Sequence, residues 1–380
     1  MRIAYLSDSN IPSKKANSVH VMNMCHAFNK MGHEVTLFGL KNRIDGDPDI
    51  WEWYGTEAFG LELHGYEIPK LRLWIHAWQT VRKLKKLKPD VVFGRSLFAC
   101  LQAAKAGIPV CYETHDPMGV LNKQQSKAFE ELLKSDKLLG VVVLSKALKD
   151  ILLSETDKIK PDQILAAHDG ATVLQLNKES LNTYDWPAQN SSRRQVGYVG
   201  TISQGRGIEL ILELSDLLPQ VDFHIIGGNK SDLSKLGVPE NRELPNVFFH
   251  GFVSPREAAI ARKKCDVLLA PYQEDIKLRS GKNTSKYMSP LKIFEYMEAG
   301  KPVICSDLPV LREVLEDDLN ALMVQATNVE DWKKSVERLI NDRDLCERIG
   351  GRGNHDLMNK YTWQIRANEI LSFIKENEKI

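Results

Sequence analysis

Ser289-Pro290-Leu291-Lys292-Ile293-Phe294-Glu295-Tyr296-Met297-Glu298-Ala299-Gly300-Lys301-Pro302-Val303-Ile304 reads as a short loop, a helix stopped by Gly300, and a buried strand over Val303–Cys305. Pro290 suits the first helical position, where its missing N–H costs nothing. Gly300 suits a left-handed helix stop, and Pro302 cannot continue the helix. The free N–H groups at such a helix start hold a phosphate. Glu295 lies about a turn and a half inside, where a carboxylate accepts from a diol such as a ribose. The pattern outlines a nucleotide, with its anion at the helix tip and its sugar hydroxyls at the carboxylate. The plainer alternative is an amphipathic helix packed on a sheet, with Glu295 solvated.

Outward from this stretch, short apolar runs alternate with helical ones along the chain. Ile3–Leu6, His33–Phe38, Asp90–Phe93, Val110–Glu113, Gly140–Leu144 and Gln163–Ala167 read as strands in the first half. Gln195–Val199, Val221–Ile226, Asn246–His250 and Asp266–Ala270 do so in the second. Short apolar strands separated by helices predict parallel sheets. A helix is expected near Val19–Met31, with Asn17 or Ser18 as its N-cap. Residues 173–194 turn polar and read as a linker. The chain of 380 residues exceeds one ordinary core, so two α/β domains are expected. Folds of this kind bind ligands at strand carboxyl ends.

Three loops can carry chemistry. Gly200-Thr201-Ile202-Ser203-Gln204-Gly205-Arg206-Gly207 follows a strand and opens a helix. It nearly spells a P-loop but lacks the Lys and the Ser or Thr that holds magnesium, which excludes an ATPase. What remains is a turn offering N–H groups and one guanidinium to an anion, or an ordinary glycine turn. Gly227-Gly228 and His250-Gly251-Phe252 end two further strands. In the first half, Glu113-Thr114-His115-Asp116 ends a strand; His115 can serve a sugar hydroxyl, or be a buried histidine bonded to Asp116 or backbone.

Glu295 through Ile304 resembles the C-terminal signature of family 4 retaining glycosyltransferases of the GT-B fold, and the match continues in order through 195–315. The resemblance implies two Rossmann-like domains facing a central cleft. Residues 1–172 would form the acceptor domain, with the terminal helix 361–380 crossing back to it, and 195–360 the nucleotide-sugar donor domain. Implied donor contacts are Gly200, Thr201, Gly205, Arg206, Gly228, Phe252, Tyr287, Ser289, Pro290, Leu291, Lys292 and Glu295. His115 and Arg206 take the catalytic roles, and Asn17 and Ser18 the acceptor contact. The donor would be UDP- or GDP-linked, the acceptor a glycan or a lipid-linked glycan, and the transfer retaining, with no further cofactor and no essential metal.

Two departures from the family pattern matter. The family often places an Arg directly after the first glycine, where this chain has Thr201, so one phosphate contact is missing or replaced. The first Glu of its E-x7-E motif falls on Tyr287. The second departure favours a rival reading as a non-catalytic sugar-nucleotide or glycan-binding subunit. A GT-B-like sugar-nucleotide epimerase is the other rival.

Composition narrows the classes further. A hydrophobic content of 43% and charged content of 27% are globular values, and a net charge of +1 argues against a nucleic-acid binder. Six scattered cysteines read as reduced, buried thiols of a cytoplasmic protein. Trp74, Ile75, Trp78, Val81 and Leu84 form a helical stripe among Arg72, Arg82, Lys83, Lys85, Lys86 and Lys88. Such a helix can lie on anionic lipid, giving peripheral membrane contact, but more often the stripe is core. Asp45-Gly46-Asp47 mimics a metal-binding pair in a polar loop far from the other signals.

Overall fold

The apolar runs become two all-parallel sheets in a computed structural model. It describes every residue except 45–47, 66–71, 175–177, 189–191, 240, 277–282 and 379–380, together with the side chains of 72–74, 178 and 180. The Asp45-Gly46-Asp47 triplet therefore lies outside the described residues. Two units emerge, one of Met1–Asp169 with Trp363–Ile380, the other of Gly170–Thr362.

The first unit holds β1 (Arg2–Ile11), β2 (Glu34–Lys41), β3 (Gly60–His64), β4 (Val91–Gly94), β5 (Val110–Thr114), β6 (Leu138–Val143) and β7 (Ile164–Ala166). Their order is β3-β2-β1-β4-β5-β6-β7. The second holds β8 (Arg194–Val199), β9 (Val221–Ile226), β10 (Val247–Phe249), β11 (Val267–Ala270), β12 (Val303–Ser306) and β13 (Leu322–Val324), ordered β10-β9-β8-β11-β12-β13. β4, β5, β11 and β12 are buried along their whole length, as strands covered on both faces by helices must be. Both sheets are Rossmann-like. In each, strand order reverses beside the first strand, between β1 and β4 and between β8 and β11, and the crevice at that reversal is where such sheets take ligands.

Several sequence expectations change. β3 and β13 were not read as strands; each is a short edge strand paired on one side only. The first helix runs Ala16–Lys30 with Lys15 as N-cap and no side-chain cap. Asn17 and Ser18 are thus inside its first turn, and the Ser18 hydroxyl donates to the Ser13 and Lys15 carbonyls. The turn closes earlier because Ser13 Oγ accepts from the Lys15 N–H. The tryptophan stripe is core only in part, and the side chain of Trp74 lies outside the described residues. Helix Arg72–Leu87 buries His76, Ala77, Thr80 and Leu84, while Trp78 is 58% exposed. The residues expected as linker include Trp186, whose ring stacks 4.0 Å from His224 inside the second unit. Five of the cysteines are buried and all six are free thiols. Among the described residues no helix is long and apolar enough to cross a membrane.

Candidate functional site

In the second unit the helix that opened the argument spans Leu291–Ala299. Pro290 is its N-cap rather than its first helical residue, one position earlier than expected, and itself offers no capping side chain. Its leading N–H groups therefore face outward from the helix tip, as an anion site requires. Gly300 closes it at φ 68°, and Asn354 Nδ2 donates to the Met297 and Glu298 carbonyls there. The position of the helix is fixed by Tyr296. Its hydroxyl accepts from the Val199 N–H at 2.8 Å and lies 3.3 Å from the Leu269 carbonyl, tying the helix to β8 and β11. Those are the two strands that flank the reversal of strand order.

The loop after β8 meets the loop after β11 at contact distance. A Cβ on Gly205 would lie 2.4 Å from the Asp275 carbonyl oxygen, and one on Gly207 only 1.9 Å from that of Pro271. Both glycines also have positive φ, so only glycine serves at either position. Gln273 N–H donates to the Gly205 carbonyl across the same seam. Arg206, held between them, places its guanidinium 5.4 Å from the centroid of the Tyr272 ring. Thr201 is exposed, and its carbonyl accepts from Tyr198 Oη.

The loops after β9 and β10 complete the rim. Gly227 N–H donates to Gly251, Gly251 N–H to Gly228, and Gly200 N–H to Ile226. Phe252, next along, is 52% exposed, an apolar ring at the carboxyl end of the sheet. Ser289 and Tyr287 are both buried. Glu295 lies partly exposed, with one carboxylate oxygen 3.3 Å from Arg262 Nη1. Arg262, from helix Pro255–Lys264, was not singled out in the sequence; a basic residue 33 positions away carries no local signal. Lys292, on the second position of the helix, points its ammonium at the rings of Tyr198 and Tyr272, with the nitrogen 3.8 and 5.0 Å from their centroids. Gly200, Thr201, Gly205, Arg206, Gly228, Phe252 and the helix start with Lys292 and Glu295 thus gather at one end of one sheet.

His115 lies in the first unit, just after β5. Arg95 Nη2 is 2.8 Å from its Nδ1. Since a guanidinium only donates, Nδ1 accepts and the ring proton sits on Nε2, which faces Glu113 Oε1. Burial, then the Arg95 charge, holds the ring neutral by pulling its pKa down to about 4. Glu113 also lies 2.9 Å from His20 Nε2 and 3.2 Å from Arg366 Nη2, the latter on the terminal helix Trp363–Asn377. Burial alone would raise the Glu113 pKa, but Arg366 and His20 hold it well below the carboxylate range. His20 Nδ1 in turn meets Asp169 at 2.8 Å. Ligand atoms of His20, Glu113 and His115 lie within 4.8 Å of one another, a spacing that would suit a cation, but the Arg366 guanidinium already balances that carboxylate. The alternative of a buried histidine bonded to Asp116 or backbone is not its arrangement; Arg95 and Glu113 take both ring nitrogens. Beside it, Asp8, Arg95, His115, Asp116 and Gln125 line a polar pocket of about 150 Å³.

Known proteins resemble both units. Residues 18–170 match the model described as Glycosyltransferase Family 4, and residues 186–356 match Glycosyl transferases group 1. An uncharacterized glycosyltransferase of Methanocaldococcus jannaschii is 25% identical over 279 residues, 68% of this chain but 65% of its own length, just under two thirds. Spore coat protein SA of Bacillus subtilis is 22% identical over 381 residues, covering 91% of this chain and 90% of that protein. Among solved structures, Anabaena HepE in complex with UDP-glucose shares the fold with a TM-score of 0.71 at 14% identity, covering 99% of this chain and all of that one.

Proposed function

Because the chain belongs to the family 4 glycosyltransferases, with the paired Rossmann-like units of the GT-B class, we propose that it transfers a sugar from a nucleotide-sugar donor to a glycan or lipid-linked acceptor with retention. The observation that carries the donor half is the start of helix Leu291–Ala299, fixed by Tyr296 at the strand reversal, with the Arg206 guanidinium beside Tyr272 in the neighbouring loop. Preorganised N–H dipoles and a guanidinium stabilise the charge that grows on a leaving diphosphate. Glu295, steadied by Arg262, takes the ribose diol. Four residues of helix rise separate it from Leu291, about 6 Å, a span suited to the distance from the first phosphate to the ribose. Phe252 and the glycine-lined rim receive the base. A uridine diphosphate sugar suits this reading, since HepE was solved with UDP-glucose.

In the first unit, His115 and the polar pocket beside it offer hydroxyl-binding groups suited to a sugar. His115 must release Arg95 or Glu113 to bond a hydroxyl, so it acts as a neutral partner rather than a cation. Among the described residues none presents itself as a nucleophile of a two-carboxylate scheme; the leaving phosphate accepts the acceptor's proton on the face it departs from, which retains configuration. Metal-free transfer is part of the same reading. The exposed Trp78, with Arg82 stacked 4.7 Å from its ring on a helix bearing lysines and no acidic residue, suits contact with an anionic lipid surface that carries the acceptor.

The test is release of nucleoside diphosphate from UDP- and GDP-sugars in the presence of candidate acceptors. Binding of a donor without release in any acceptor's presence would establish the non-catalytic reading instead.

A further inference from the structure

Glu113 is the fourth residue of β5, and its side chain is wholly shielded from water. A carboxylate there is costly unless donors satisfy both oxygens. Oε2 accepts from Arg366 Nη2 at 3.2 Å, and Oε1 accepts from His115 Nε2. Oε1 also lies 2.9 Å from His20 Nε2. Arg366 is itself pinned, since its Nε donates to the His168 carbonyl at 2.9 Å. His20 is pinned by Asp169 and by edge-on contact with the Trp363 ring. The first helix, β5 and the terminal helix thus meet on one carboxylate. Side-chain exposure is 21% at His115, 2% at His20 and Arg366 and 0% at Glu113, so His115 is the member of this network most open to a ligand.

This asymmetry decides which ring nitrogen serves the ligand. The hydrogen bond at one imidazole nitrogen sets where the proton sits on the other. Arg95 Nη2 donates to Nδ1, and Glu113 receives the Nε2 proton. Glu113 is held in a buried strand by Arg366 and keeps its partner. Arg95 is the looser of the two: it is only part-buried, it lines the pocket, and its Nη1 has no hydrogen-bond partner among the described residues. Once Arg95 moves aside, Nδ1 presents a lone pair while Nε2 stays on Glu113. The groups that face the ring are Arg95 after β4, Glu113 on β5 and His20 on the first helix, with Asp169 and Arg366 behind them and Asp8 and Asp116 on the pocket wall.

We propose that Glu113, pinned by Arg366 of the terminal helix, is a positioning residue that locks His115 in its Nε2–H tautomer and so makes Nδ1 the atom that accepts a proton from a sugar hydroxyl. The inference rests on the reading of His115 as a sugar partner and deepens it: the ring accepts rather than donates, and a residue 253 positions from Glu113 in the chain enforces that role.

Histidine labelled with nitrogen-15, read by long-range proton–nitrogen correlation at neutral pH, reports the tautomer without substrate, and His115→Ala identifies the signal. The parent shows a neutral ring with a bare Nδ1. Glu113→Gln populates both tautomers. Arg366→Met removes a positive charge and moves the His115 titration to higher pH, whereas Glu113→Gln removes a negative one and moves it to lower pH. In donor turnover both variants lose kcat on the order of tenfold to a hundredfold, with diphosphate affinity unchanged. Arg366→Lys recovers part of that loss. In a His115→Ala background Arg366→Met lowers kcat no further, since both act through one ring. Should the single variants not fold, Glu113→Gln combined with Arg366→Gln removes both charges together and carries the same tautomer and kcat predictions. A proton on Nδ1 in the parent, a tautomer unchanged in the variants, or a further loss of kcat in the His115→Ala background overturns the role of Glu113 and leaves the transferase reading standing. If the parent releases no nucleoside diphosphate from any donor, the transferase reading fails and this inference with it.

Discussion

Replacing Glu295 by Gln tests the nucleotide site at the point where its geometry is most specific. Gln matches the carboxylate in shape but offers one acceptor oxygen instead of two and no charge. A bond to a charged acceptor contributes about 1.5–3 kcal/mol, so nucleoside diphosphate affinity should fall between about tenfold and about a hundredfold. Arg262 complicates the reading, since its guanidinium is buried and loses a charged partner. The Glu295 side chain is 29% exposed, however, which screens the pair, and an amide oxygen still accepts from Arg262, so the stability loss should stay near ~1 kcal/mol. Calorimetry with the diphosphate and with its 2′,3′-dideoxy analogue isolates the diol. The substitution should weaken the ribonucleotide strongly and the dideoxy compound little, while urea midpoints report the Arg262 contribution separately. Equal weakening of both ligands, or no weakening in a folded variant, would refute the assignment of the ribose to Glu295.

His115→Ala should depress turnover while sparing nucleoside diphosphate affinity, the signature of a contact made with the reacting sugar; normal specific activity in a less stable protein would mark His115 as purely structural. Folding stability should decline as pH drops from about 6.5 toward about 4. Burial holds His115 and His250 down to about 4 and His224 to about 3, so within that window the unfolded chain gains protons that the folded one refuses. His224→Phe should flatten part of that slope in urea titrations, and a urea midpoint independent of pH would contradict the argument. Trp78→Ser should reduce cosedimentation with vesicles containing phosphatidylglycerol, and added salt should do the same; parent protein that stays in the supernatant at low salt would remove the membrane reading.

The amino-acid sequence alone determined the parallel α/β class, most strands, the helix stop at Gly300, and the loops and helix start that gather at the carboxyl end of the second sheet. Each of these is written in local order: apolar runs of strand length, glycines at positive φ, a proline at a helix start. Edge strands Gly60–His64 and Leu322–Val324 escaped because they are short, and Gly60–His64 is mostly only half-buried, so neither stands out as an apolar run. The inward face of helix Arg72–Leu87 was read only in part, at Leu84, because apolar spacing gives a stripe but not its direction. His76 and Thr80 face inward, and Trp78 outward, through contacts with elements distant in sequence. Tertiary structure likewise decided who stands beside whom. Arg262 reaches Glu295 from another helix, Arg95 and Glu113 settle the proton of His115, and Arg366 reaches Glu113 from 253 residues away. Lys292 looks like a solvated lysine in the sequence, but the fold shields its ammonium beside Tyr198, Tyr272 and Gly200. Local chemistry is encoded residue by residue, whereas desolvation and pairing depend on the fold that brings distant residues together.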